Sequence, residues 1–303
     1  MDPLSDVLSI LRPRSYMFRG LDARAPWSIA YPPTDGFGCY AVVSGACWLV
    51  VEGEPEAIRL ATGDCVLLTR DKPFRMASDL ALSPVDAVAL FGAVREGSVV
   101  TLNGGGADSG VGGYFDFGGK DAGLLRDLLP PIVHIRDESD KAALRSAMEL
   151  MMRELREPQP GGFLVARHLA QLMLVLAIRL HLTRVGGVGA GWLSALMDRQ
   201  LAAAISAMHE NPAQAWTLQM LARTASMSRS SFAQRFKEKV GLSPMEYLTR
   251  WRMLLAGEKL RSSGESIAAI GYSLGYESES AFGAAFRRLM GCSPRQYARG
   301  RRR

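Results

Sequence analysis

From about Trp27 to Leu102 the apolar positions come in short segments: FGCYAVVS, ACWLVVE, AIRLA, CVLLTR and DAVALFG. They are rich in β-branched and aromatic residues and are parted by Gly53-Glu54-Pro55, Thr62-Gly63-Asp64 and Asp71-Lys72-Pro73. Short runs bounded by turn residues predict strands, and many such strands predict a sandwich or barrel. The stretch NGGGADSGVGGYFDFGG, from Asn103 to Gly119, reads as a loop. It lacks the GK[ST] ending of a phosphate loop, and no strand-to-helix switch follows it directly.

From Asp121 the period becomes helical. Residues 121 to 130, 139 to 156 and 162 to 185 place apolar residues three and four apart, with Pro158 to Gly162 parting the last two. The helix LVARHLAQLMLVLAIRLHL is apolar around most of its circumference and is expected to bury more than one face, in a bundle or between subunits. Its longest uncharged run, Leu169 to Ile178, is ten residues, short of the roughly 20 a membrane span needs. Val185 to Gly191 reads as a hinge.

Beyond it a twenty-residue phrase occurs twice, fifty residues apart. SRSSFAQRFKEKVGLSPMEY starts at Ser228 and SESAFGAAFRRLMGCSPRQY at Ser278. Serine, phenylalanine, glycine, proline and tyrosine recur in register: Ser228/Ser278, Phe232/Phe282, Phe236/Phe286, Gly241/Gly291, Pro244/Pro294 and Tyr247/Tyr297. Thr217 is placed to cap a helix ahead of the first copy, and Ser266 one ahead of the second. Each copy then supplies a second helix, opened by Ser228 or Ser278 and closed by Gly241 or Gly291. Two short helices joined by a tight turn describe a helix-turn-helix. The segment SPMEYLTRWRMLLAGEKLRSSG between the two units predicts a stiff amphipathic connector.

Charge sharpens this picture. The chain carries +6 overall, but residues 200 to 303 hold 16 Lys+Arg against 7 Asp+Glu, and residues 1 to 199 hold 20 against 23. The repeat-bearing end is therefore at +9 and the rest at −3, the footprint of a polyanion binder. The phenylalanines are expected to face inward, so chemistry falls to the outward positions. On the first unit these are Arg229, Ser230, Ala233, Gln234, Arg235 and Lys237; on the second, Glu279, Ser280, Ala284, Arg287 and Arg288. In a major groove Gln bonds adenine and Glu accepts from cytosine, while Lys and Arg neutralise phosphates. With Gly283-Ala284-Ala285 on its face, the second helix has little side chain for base reading.

These residues resemble the AraC/XylS family of bacterial transcription regulators. MSRSSFAQRFKEKVGLSPMEYLTRWRM and LGYESESAFGAAFRRLMGCSPRQY carry the resemblance. GACWLVVEG, LATGDCVLLTR and LLPPIVHI are similar to the subgroup with a cupin-like N-terminal half. The resemblance implies three regions. A cupin-like β-barrel spans 1–120, a helical and dimerising segment 121–190, and an all-α DNA-binding domain with two helix-turn-helix units 198–303. It implies promoter DNA and RNA polymerase as partners, an effector that is a small molecule or an oxidant, a homodimer, and a cytoplasmic protein free of the membrane.

A cupin enzyme would need metal held by histidines and a carboxylate, and no His precedes His134. No cofactor, metal or catalytic residue is therefore expected. The competing classes are a cupin enzyme fused to a helical tail and a nonspecific DNA-binding protein. Cys39, Cys47 and Cys65 lie in or beside expected strands. They are either small buried hydrophobes or redox sensors, and the second role requires exposure and a lowered thiol pKa.

Overall fold

The computed structural model describes residues 3–10, 15–34, 36–92, 94, 97–116, 129–136, 142–185 and 195–299. These fall into two compact units. One is drawn from 13–118 and 130–184, the other from 1–12, 119–129 and 185–303. The first helix, α1 (Pro3–Ile10), stands with the second unit. Residues 121–128 of the expected helix and 186–191 of the expected hinge lie outside the described residues.

Among the described residues the first unit holds eleven strands: β1 (Ser15–Ala23), β2 (Ser28–Tyr31), β3 (Phe37–Ser44), β4 (Ala46–Val51), β5 (Ile58–Ala61), β6 (Cys65–Leu68), β7 (Phe74–Ala77), β8 (Val85–Asp86), β9 (Val99–Leu102), β10 (Asp108–Asp116) and β11 (Ile132–Ile135). They form two sheets, not one closed barrel. The six-stranded sheet runs β11-β6-β3-β10-β1-β9 and the five-stranded sheet β5-β4-β7-β2-β8. Because side chains alternate along a strand, β3 and β6 of the larger sheet serve two cores. Tyr40 and Val42 of β3, with Val66 and Leu68 of β6, join Ile29, Leu49 and Phe74 in one core cluster that spans both sheets. The alternate positions Phe37, Cys39, Cys65, Leu67 and Phe115 are buried on the opposite face. Helix α3 (Ala142–Arg156) packs on β1, β3 and β10, burying Leu144, Met148, Met151, Met152 and Leu155.

Two expectations are corrected here. DAVALFG is not a strand: after Asp86 it turns into helix α2 (Ala87–Gly92). The Asp86 carboxylate accepts from the Val88 amide at 2.6 Å, which satisfies a donor the helix start leaves open. The glycine stretch is also not all loop. Asn103, at φ 51°, and Gly104 and Gly105 make a turn, but Asp108 to Asp116 form the strand between β1 and β3. Glycine is depleted in strands because it packs nothing; here close approach requires it. A Cβ at Gly113 would lie 1.7 Å from the Met17 carbonyl oxygen, and one at Gly112 would lie 2.3 Å from the Tyr40 ring.

Helix α4 (Gly162–Val185) is apolar over more of its surface than this unit covers. It buries a single stripe, Ala166, Leu169, Ala170, Met173, Leu174, Ala177 and Ile178, while Phe163, Leu164, Val165 and Leu172 are exposed. Its segment Gly162–His181 is long and apolar enough to cross a membrane by length and composition, and 39% of that window is buried.

The second unit is helical. It comprises α1, α5 (Arg199–Glu210), α6 (Leu218–Thr224), α7 (Arg229–Val240), α8 (Pro244–Ser262), α9 (Ile267–Ser273), α10 (Glu279–Met290) and α11 (Pro294–Arg299). At its centre the His209 ring stacks on Trp251 with centroids 3.7 Å apart. His209 Nε2 lies 2.8 Å from the Tyr247 hydroxyl, and Nδ1 lies 3.3 Å from the Asp6 carboxylate of α1. That set offers one donor and one acceptor, which suits a neutral imidazole. Burial lowers the His209 pKa to about 3.

Candidate nucleic-acid interface and ligand cavity

The repeated phrase resolves into repeated local physics. Ser228 and Ser278 are N-caps, their hydroxyls accepting from the Ser231 and Ala281 amides. Gly241 (φ 81°) and Gly291 (φ 66°) end the helices in the left-handed conformation, which glycine adopts without the cost a Cβ brings. Ser243 then opens α8 with a capping box to Glu246. Ser293 and Gln296 exchange the same pair of bonds at the start of α11. The Phe232–Phe236 and Phe282–Phe286 ring pairs, 5.5 and 5.7 Å between centroids, are the buried i, i+4 stripe of each helix.

α6 and α7 make one helix pair, α9 and α10 the other. Both first helices close with a Schellman motif. Met227 N bonds Ala222 O and Ser226 N bonds Arg223 O; Tyr276 N bonds Gly271 O and Gly275 N bonds Tyr272 O. The left-handed residue is Ser226 (φ 52°) in the first and Gly275 (φ 81°) in the second. The turns differ in length: two residues separate Ala225 from the cap Ser228, and three separate Leu274 from Ser278. The connector α8 ties the pairs together through Arg252. Its Nε donates to the Pro212 carbonyl at 2.7 Å, and its guanidinium lies 5.7 Å from the centre of the Tyr276 ring.

The outward faces carry the expected residues. Arg229, Ser230, Gln234 and Lys237 are exposed on α7, and Ala233 is partly buried. Glu279, Ser280, Ala284, Arg287 and Arg288 are exposed on α10. Gln234 donates to Glu238 across one turn at 2.9 Å. Arg235 is placed differently. Its Nη2 lies 2.6 Å from the Asp198 carboxylate and its Nη1 donates to Gln200 Oε1. No local pattern marks this long-range pair, because Asp198 lies 37 positions from Arg235.

A model described as a cupin domain matches residues 2–183, and one described as a helix-turn-helix domain matches 221–300. The chain is 42% identical over 299 residues to a chain named "Putative AraC-like transcription regulator" in Streptomyces antibioticus, covering 98% of each. A chain of the same name in Streptomyces lividans matches equally. The chain belongs to the AraC-type transcription regulators. Over 57% of its length this AraC-type chain is also 34% identical to the HTH-type transcriptional regulator AlkR of Acinetobacter baylyi. It is a DNA-binding regulator and not an enzyme.

The β unit of this AraC-type regulator holds a partly open cavity of about 420 Å³ between its sheets, lined by Arg19, Trp27, Tyr31, Tyr40, Cys47 and Asp108 among others. Its lining is mostly aromatic and aliphatic. Tyr31 stacks on Phe74 with centroids 4.5 Å apart, and burial raises the hydroxyl pKa of both Tyr31 and Tyr40. β10 contributes Gly110 and Gly112 to its wall. At one end the Asp108 carboxylate accepts from Trp27 Nε1 at 2.8 Å and from the Ala46 amide.

The cysteines fail the conditions set for redox sensing. Cys39, Cys47 and Cys65 are all buried. Cys39 and Cys65 lie with their sulfurs 3.9 Å apart, and the Cys65 contact and burial push the Cys39 thiol well up. Burial pushes Cys47 up to about 12. A thiolate is the reactive form, and burial disfavours it at Cys39 and Cys47.

Proposed function

We propose that the exposed faces of α7 and α10 enter successive major grooves of a promoter, and that the β unit sets this activity by holding a small molecule between its sheets. The carrying observation is the pairing of two capped helices, each with its phenylalanines buried and its polar face open. In this reading α7 reads bases through Arg229 and Gln234, while α10, with Gly283 and Ala284 on its face, holds phosphates through Arg287 and Arg288. The apolar cavity supports the sensor role, because ligand sites are concave, mostly apolar and carry a few placed polar groups. The exposed apolar residues of α4 support self-association into a dimer.

A gel-shift on promoter DNA with a scrambled competitor tests the DNA reading. A specific regulator keeps its complex against scrambled DNA and loses it to the unlabelled site. Equal loss to both would leave a nonspecific binder.

A further inference from the structure

Arg19 sits in the middle of β1, in the alternation Met17, Arg19, Leu21 that faces the cavity. Its Nε is buried and makes no hydrogen bond, and among the described residues no carboxylate pairs with its guanidinium. The side chain as a whole is only partly buried, so the cost lies in that one donor: a buried N–H without a partner carries a desolvation penalty that a ligand's acceptor would relieve. The nearest cross-strand position, Gly112 on β10, offers no side chain to do so.

We infer that the cavity takes an apolar or aromatic monocarboxylate, its body among the tyrosines and its carboxylate on Arg19. This rests on the reading of the cavity as the effector site. A guanidinium fork matches a carboxylate in bidentate fashion, and one cation in an apolar lining suits one negative charge better than a phosphate. Asp108 fixes the direction. It pairs with Ala23 of β1 while Arg19 pairs with Gly112, four positions apart, which is about 13 Å along a strand. The Asp108 carboxylate, already held by Trp27, repels a second anion at that end. The ligand's charge therefore goes to the Arg19 end and its apolar tail points toward Trp27.

Calorimetric titration of the full-length protein with 4-phenylbutyrate and with 4-phenylbutan-1-ol separates the two layers of the proposal. The acid is expected to bind at least tenfold tighter than the alcohol. In Arg19→Gln the acid falls to the alcohol's level while the alcohol's affinity is unchanged, which also reports that the variant is folded; Arg19→Lys retains part of the preference for the acid. Equal binding of acid and alcohol by the unaltered protein, or an unchanged acid affinity in Arg19→Gln, overturns the carboxylate assignment and leaves the cavity as a neutral-ligand site. Binding of neither probe contradicts the effector reading and this inference with it.

Discussion

Arg235 Nη2 lies 2.6 Å from the Asp198 carboxylate, and the same carboxylate caps α5 by accepting from the Gln200 and Leu201 amides. One acid therefore fixes the start of α5 and the flank of α7. The Asp198 side chain is 9% exposed and that of Arg235 is 44% exposed, so the pair is a brace and not a free cation. Arg235→Gln is expected to lower the thermal stability of the helical unit while leaving base preference intact. Asp198→Ala loses cap and pair together, about 1–2 kcal/mol. Site selection with Arg235→Gln that returned an altered consensus would contradict the brace.

On the proposed reading, Gln234 contacts bases and Arg287 a phosphate. Gln234→Ala is expected to relax preference at one base position by about 1–3 kcal/mol. Arg287→Ala weakens binding to all sequences alike and shallows the salt dependence by about one counterion. Binding-site selection and a salt titration on each variant check the pair.

The two turns predict opposite responses at equivalent residues. Ser226 holds a left-handed backbone that costs a residue with a Cβ roughly 1 kcal/mol, so Ser226→Gly is expected to stabilise the unit by about that amount. Gly275→Ser destabilises it, because a Cβ there would also lie 2.3 Å from the Ala213 carbonyl oxygen. Differential scanning calorimetry of both variants decides.

His209 makes the helical unit acid-sensitive. An unconstrained histidine titrates near 6.5, and burial lowers this one to about 3. The Asp6 carboxylate pulls the other way, but the His209 side chain is 1% exposed and desolvation prevails. Between those values the unfolded chain binds a proton that the folded chain does not, so stability falls as pH drops from about 6.5 toward 3, by at most about 1.4 kcal/mol per unit. Above 6.5 the effect vanishes. Urea unfolding at pH 7.5 and 5 should show a steeper loss than in His209→Gln.

The helical end was legible in the sequence because its determinants are local. A serine cap, an i, i+4 phenylalanine pair and a closing glycine all act within one helix, and their repetition fifty residues on excluded accident. The extra residue in the second turn was hidden, since it falls between the repeated phrase and the weakly matching helices ahead of it. The β unit was harder to read. Gly110, Gly112 and Gly113 look like a loop unless the neighbouring strands are known, and Asp86 was read as opening a strand when it ends one and starts a helix. Arg19 went unremarked for the same reason: its cavity is made by strands far apart in sequence.

Hydroxyl-radical footprinting of the protein on the promoter beside its own gene tests whether two rigidly linked helix pairs read adjacent major-groove faces. Two protected segments on one face of the duplex, about 10 base pairs apart, are expected, with protection over the second reduced in Arg287→Ala. A single protected segment, or even protection along the whole fragment, would contradict it.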